Sequence, residues 1–199
     1  MVANEKLFGL SISPELFPPT LVGTKHSIIV DFINEQRKVV LKPLYGSGGA
    51  GVLVMDKEDR NLSSALELLT TSFTRPVMVQ SYIKDARLGD KRVMVLGGEA
   101  IGAILRVPRP YDHRANLHAG GQAQPVSITD HDHAIVKALS PHFKRLGLHF
   151  VGIDIIGGYL TEINVTSPTG IIEMEQFSKS HGSRSLRARI VDYVENLLA

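Results

Sequence analysis

VGIDIIGGYLTEINVTSPTG, residues 151–170, reads as two strands joined by a glycine turn. Val151 to Ile156 is an apolar β-type run with one carboxylate, Asp154, inside it. Gly157-Gly158 is a two-residue turn, and Tyr159 to Val165 alternates apolar and polar residues. A Gly-Gly pair between two β-rich runs signals a hairpin. Alternation points Glu162 and Asn164 the same way, and the hairpin can bring Asp154 onto that face. A lone Asp or Glu on a strand normally faces solvent. These strands are otherwise so apolar that two carboxylates on them need a partner or a shared proton. Oxygen ligands of this kind suit a hard cation such as Mg²⁺, which takes one or two carboxylates together with water and phosphate.

Working outward, 199 residues suffice for one domain or two intimate subdomains with a self-sufficient core. Cysteine is absent, which excludes disulfides, a thiol nucleophile and thiolate metal sites. There is no long apolar run, so a soluble, cytoplasmic protein without membrane partners is expected. The formal net charge of +2 is too small to argue for nucleic acid, but it is compatible with anionic small ligands.

Residues 1–23 read as irregular because Pro14, Pro18 and Pro19 interrupt them. Thr24 is a candidate cap for a helix to about Gln36, followed by a strand at 39–43, a glycine-rich loop at 46–51 and a strand at 52–55. A helix at 61–71 and a strand at 77–82 come next. A strand pair spans 92–106 around Gly97-Gly98, and residues 108–125 form a long polar loop. Thr129 and Asp132 form a capping box for a helix ending near Gly147. His131, Asp132 and His133 fall in its first turn, where i and i+2 do not share a face, so they read as surface residues rather than a metal cluster. The last helix, about 183–198, shows an apolar stripe of Leu186, Ile190, Val191, Val194 and Leu197, with Arg184, Arg187 and Arg189 on its solvated side. Strands and helices mix without strict βαβ alternation. The expected fold is α+β with largely antiparallel sheets, in two halves joined near residue 83.

The loop GSGGAG (46–51) opens no helix and lacks a following Lys-Ser/Thr, so it is neither a P-loop nor a dinucleotide-binding turn. By itself it reads equally as a long hairpin turn or as a phosphate cover. Lys42, in the apolar strand before it, favours the cover, because a buried lysine needs an anion. Arg106, Arg109, Arg114 and Asn116 in and beside the polar loop are candidate anion contacts. Ser167 and Thr169 directly follow the acidic strand and could hold a substrate carboxylate.

LKPLYGSGGAGV, VQSYI, GDKRVMVL, RANLHAGG and above all FVGIDIIGGYLTEINVTSPTG resemble prokaryotic glutathione synthetases of the ATP-grasp superfamily, in order along nearly the whole chain. The resemblance implies two α+β subdomains clasping a nucleotide, residues 20–83 forming the smaller and 1–19 with 84–199 the larger. It implies an ATP-dependent ligase in which a carboxylate is phosphorylated and an amine then displaces phosphate, the family substrates being γ-glutamylcysteine and glycine. Lys25 and Lys42 would hold ATP phosphates beneath a flap containing Gly46, Ser47, Gly48 and Gly49. The backbone of Gln80, Ser81, Tyr82 and Ile83 would read adenine, with Asp90 near the ribose. Arg92, with Lys42, would serve the transferred phosphoryl group. Asp154, Glu162 and Asn164 would hold Mg²⁺, for which Mn²⁺ could substitute. Arg92, Arg106, Arg114, Asn116, Ser167 and Thr169 would contact a small-molecule or peptide substrate. The family has a further N-terminal domain, whereas Met1 stands almost where the ATP-grasp portion begins. The chain thus reads as a fragment, a short paralogue or half of a split enzyme. A homo-oligomer or a separate N-terminal-domain partner is expected. A ligase for another acid and amine, or a nucleotide-binding module without turnover of its own, are the alternatives.

Overall fold

The computed structural model of the chain describes residues 4–45, 48–112, 114–117, 120–178 and 185–198. Its strands are β1 (Thr20–Gly23), β2 (Lys38–Pro43), β3 (Leu53–Asp56), β4 (Val77–Ser81), β5 (Asp90–Leu96), β6 (Glu99–Val107), β7 (Gln122–Pro125), β8 (Phe150–Ile156) and β9 (Tyr159–Asn164). Its helices are α1 (Glu5–Ile12), α2 (His26–Gln36), α3 (Leu62–Thr70), α4 (Asp130–Leu146), α5 (Ile171–Ser178) and α6 (Leu186–Leu198). The strands form two sheets, ordered β1-β4-β2-β3 and β7-β6-β5-β8-β9. Every strand pairing is antiparallel.

Period-2 alternation explains the first sheet. Val39, Leu41, Met55, Val77 and Val79 point to one face and pack on Ile29 and Ile33 of α2 and on Leu66 of α3. Val40, Lys42, Val54 and Gln80 take the other face, which is open. The second sheet is covered on both faces. Val93, Val95, Val151, Ile153 and Ile163 bury against Phe8 of α1 and Ile135, Leu139 and Phe143 of α4. Met94, Leu96 and Ile104 meet Met174 of α5 and Leu186 of α6. Burying a side chain such as Phe143 contributes about 1.5–3 kcal/mol.

Residues 4–23 are ordered rather than irregular. Asn4 caps α1, its side chain accepting from the Lys6 and Leu7 N–H groups, and the prolines act only after that helix has ended. Glu5 fastens α1 to the end of β9 by accepting from the Val165 and Thr166 N–H groups at 2.7 and 2.8 Å. Helix α2 starts one residue later than expected, with Lys25 at the cap position and no side-chain cap bond. The polar loop after β6 contains β7, which pairs along β6. Helix α5 was not foreseen. The Thr129–Asp132 capping box is present, yet Asp132 is buried, not superficial, because Lys91 reaches it at 2.7 Å.

The stripe on α6 divides. Leu186 is buried and Ile190 and Tyr193 pack beside it, whereas Val191, Val194 and Leu197 stay 47–54% exposed. Two apolar arcs adjoin on this helix, and only one meets the sheet. Arg187 and Arg189 lie on the solvated side, Arg187 also pairing with Glu175 at 2.5 Å, and Arg184 lies outside the described residues.

Candidate active site

The register of the second sheet builds the site. Asp90 pairs opposite Arg106, Arg92 opposite Asp154, and Asp154 opposite Glu162. These five side chains therefore share one sheet face, with carboxylates and guanidiniums side by side. Gly157 and Gly158 close the β8–β9 hairpin with φ of 54° and 83°, the positive values that a two-residue I′ turn requires. The strand after the turn does not alternate cleanly. A bulge next to Asp154 shifts the register, so Leu160 and Ile163 both reach the core while Thr161 and Glu162 line the cleft. The Thr161 hydroxyl donates to the Asp154 carbonyl at 3.1 Å.

Asp154 is clamped. Arg92 Nε donates to its Oδ1 and Nη2 to its Oδ2 at 3.0 Å. Arg106 Nη2 lies 2.9 Å from the same Oδ2, and Asn164 Nδ2 donates to it at 3.2 Å. Arg106 also holds Asp90 through both carboxylate oxygens, at 2.5 and 2.6 Å. Burial alone would raise the pKa of Asp154, but Arg106 and Arg92 outweigh it and keep the carboxyl below the usual range. Asp90 goes the other way, pushed up to about 6 by burial and by Asp154 against the pull of Arg106. Glu162 is raised by burial and by Asp154, which Lys42 and Lys6 oppose. Lys42 is lowered by burial, with Glu162 the main opposing influence. Arg106 Nε is buried and has no hydrogen-bond partner among the described residues.

Lys42, Gly48, Gly49, Gln80, Ser81, Tyr82, Ile83, Asp90, Arg114, Asn116, Asp154 and Glu162 all line one cleft of about 720 Å³. Residues from both sheets thus reach the same space. The Ser81 and Tyr82 N–H groups are already donated to the Pro19 and Lys38 carbonyls, at 2.9 and 3.0 Å. Gly49 sits at φ 77° where a Cβ would lie 2.9 Å from Asn116 Oδ1 and 3.2 Å from Arg114 Cδ. The glycine loop and the polar loop therefore meet, and a side chain at Gly49 would keep them apart. Gly46 and Ser47 lie outside the described residues.

Several expected residues do not line this cleft. Lys25 is exposed at the start of α2. Arg92 and Arg106 stand beneath the carboxylates, Arg92 also donating to the Thr169 carbonyl at 3.1 Å. Thr169 borders a separate shallow pocket beside α5, while Ser167 is exposed with φ 52°. Asn164 reaches the site only through Asp154. Among the described residues no cluster of three or more His, Cys, Asp or Glu could hold a metal ion. The donor set here is two carboxylates and an amide, which suits a hard cation that completes its shell with water and phosphate. Glu162 has the freer carboxylate, since both oxygens of Asp154 already accept from arginine.

The sequence reading missed Lys6. From α1 it enters the cleft 4.0 Å from Glu162 Oε1, with 12% of its side chain exposed. Asn4 before the apolar Leu7-Phe8 is the helix-start signal that could have placed it. Lys38 also lines the cleft, its ammonium 5.1 Å from the centre of the Tyr82 ring. Among the described residues no helix is long and apolar enough to cross a membrane.

Residues 5–179 match the family description "Prokaryotic glutathione synthetase, ATP-grasp domain". The chain is 48% identical over 172 residues to a glutathione synthetase of Gloeobacter violaceus, covering 86% of this chain and 53% of that protein. It is 47% identical over 173 residues to the Agrobacterium fabrum glutathione synthetase, covering 87% and 54%. The chain thus spans about half the length of these relatives. Among solved structures, a D-cycloserine synthetase shares the fold with a TM-score of 0.74 at 17% identity, over 99% of this chain and 71% of that one. A D-alanine–D-alanine ligase from Bacillus anthracis does so at 0.66 and 16%, over 98% and 68%. With its two antiparallel sheets around one cleft, the chain belongs to the prokaryotic glutathione synthetase family and carries that family's ATP-grasp domain.

Proposed function

We propose that the chain is an ATP-dependent carboxylate–amine ligase of glutathione synthetase type, joining γ-glutamylcysteine to glycine through an acyl phosphate. The observation that carries this reading is the single cleft lined by Lys42, the glycine loop, the 80–83 stretch, Asp154 and Glu162. In this reading the two sheets act as lobes, residues 20–83 forming one and 1–19 with 84–199 the other. Adenine rests against the 80–83 backbone and the ribose lies near Asp90. Lys42 neutralises phosphate charge under the glycine loop, with Lys25 brought to it by closure of that lobe. Phosphoryl transfer depends mainly on such positioning and charge neutralisation.

Glu162 and Asp154, with Asn164 behind Asp154, would hold a divalent cation, Mg²⁺ or Mn²⁺, which when bound supplies positive charge to phosphate oxygens. Arg92 and Arg106 keep Asp154 ionised and fixed in place. Arg114 and Asn116, with Ser167 and Thr169, would contact the peptide substrate. The exposed apolar arc Val191, Val194 and Leu197 supports self-association as part of the same proposal.

The test is ADP and product formation by the purified chain with Mg²⁺ and ATP. Tripeptide by mass spectrometry, with ADP formed only when both γ-glutamylcysteine and glycine are present, is the expected result. ATP binding without ADP across a panel of acids and amino acids would overturn the ligase reading.

A further inference from the structure

The open face of the first sheet carries a polar chain that the cleft chemistry does not by itself require. β4 lies between β1 and β2. Gln80 is directly opposite Thr20 on β1 and opposite Val40 on β2, whose next residue on that face, Lys42, pairs with Met78. Gln80 and Lys42 are therefore diagonal neighbours, within reach of each other's long side chains. The Thr20 hydroxyl donates to the Pro18 carbonyl at 2.7 Å. Its oxygen accepts from Gln80 Nε2 at 3.0 Å, and Gln80 Oε1 accepts from Lys42 Nζ at 2.8 Å.

This chain has one polarity. The only proton on Thr20 Oγ1 is given to Pro18, so toward Gln80 the hydroxyl is an acceptor. The amide must then turn its nitrogen to Thr20 and its oxygen to Lys42; the flipped amide would set NH₂ against an ammonium. Gln80 is 2% exposed, and a buried amide this constrained keeps its partners. Among the described residues Gln80 is the one hydrogen-bond partner of the Lys42 ammonium. The ammonium's other two donors are thus available to the cleft that Lys42 lines.

We infer that Gln80 is a positioning residue: its side-chain amide, set by Thr20, aims the Lys42 ammonium at the phosphates of a nucleoside triphosphate rather than contacting the nucleotide itself. This rests on the ligase reading of the cleft. Gln80→Met keeps the volume and removes the acceptor; Thr20→Val removes the hydroxyl that orients the amide.

The test is calorimetric titration of the full chain with ATP and, separately, adenosine, in the presence of Mg²⁺. Gln80→Met is expected to weaken ATP binding about tenfold, the scale of a lost charge-assisted hydrogen bond, while adenosine affinity stays within about twofold. Thr20→Val should produce a smaller loss of the same selectivity, and Thr20→Ser should restore it. Combining Gln80→Met with Lys42→Met should cost no more than Lys42→Met alone, since the two act as a unit. Unchanged ATP affinity in Gln80→Met, or an equal loss for adenosine, overturns the inference. Should Gln80→Met not fold, Thr20→Val decides it by the same comparison. A wild type that binds no ATP would overturn the ligase reading and this inference with it, whereas wild-type binding matched by Gln80→Met overturns the inference alone.

Discussion

Glu162→Gln separates what the site needs from what the fold prefers. Glu162 stands directly across the β8–β9 ladder from Asp154. Burial raises its pKa and Asp154 adds to this, while Lys42 and Lys6 oppose without prevailing. A like-charged pair directly opposite on a sheet is destabilising by roughly 0.2–1 kcal/mol. Against that, the variant loses the Lys6 contact at 4.0 Å, which at such a distance and with partial exposure is worth about 0–1 kcal/mol, toward the lower end. The raised pKa decides the balance. In EDTA at neutral pH the variant should be more stable than wild type by up to about 1 kcal/mol, or about 2–4 °C in Tm for a chain of this size. Mg²⁺ with ATP at about a hundred times Kd should stabilise wild type by about 2.7 kcal/mol and the variant far less, so the order of stability reverses. Urea unfolding followed by circular dichroism, with EDTA and then with Mg²⁺ and ATP, reads both numbers. A variant less stable in EDTA, or one that gains as much from Mg²⁺ and ATP as wild type, would refute the reasoning.

Asp154→Asn leaves the buried Arg92 without its carboxylate, while Arg106 keeps Asp90, and should cost about 3–5 kcal/mol in urea unfolding; a loss below about 1 kcal/mol would mean the cluster is not the buried network described. Asp90, pushed up to about 6, binds its proton in the folded state before the unfolded chain does. Stability should therefore rise as pH falls from about 7 to 4, by on the order of 3 kcal/mol from this group. Glu162, also raised, acts in the same direction. Below about pH 4 the depressed Asp154 carboxyl begins to lose its contribution, and stability turns down. Urea midpoints across this range check the trend, and Asp90→Asn should flatten it; an unchanged slope would contradict the assignment. Thr129→Ala removes the hydroxyl that accepts from the Asp132 N–H, while the Thr129 backbone N–H can still donate to the Asp132 carboxylate; it should lower stability by about 1 kcal/mol, read as a Tm shift in calorimetry.

The 151–170 hairpin was legible because its signals are local. A Gly-Gly turn needs positive φ, and β-branched residues flank it, so Asp154, Glu162 and Asn164 could be put on one face from sequence. The Thr129 capping box and the Val39–Pro43 strand were equally plain, each resting on residues within a few positions of one another. The bulge beside Asp154 was not, because it is set by which of Leu160 and Ile163 must reach the core, a demand imposed by α1 and α4. Asn4 and the helix it starts were hidden behind three prolines that lie after it, and with that helix went Lys6. The buried arc of α6 could not be chosen either, since both arcs are apolar and only the sheet decides.

Residue chemistry and order thus determined the α+β class, the hairpin, the glycine loop and the presence of an oxygen-rich, lysine-bearing site. The tertiary structure decided who partners whom. Only strand register sets Arg92 and Arg106 on Asp154, leaves Glu162 facing the cleft, and gives Lys42 to Gln80. Such pairings join residues up to 62 positions apart, and the energy of a charge depends on the partner and the burial it meets after folding, neither of which is encoded near it in the chain.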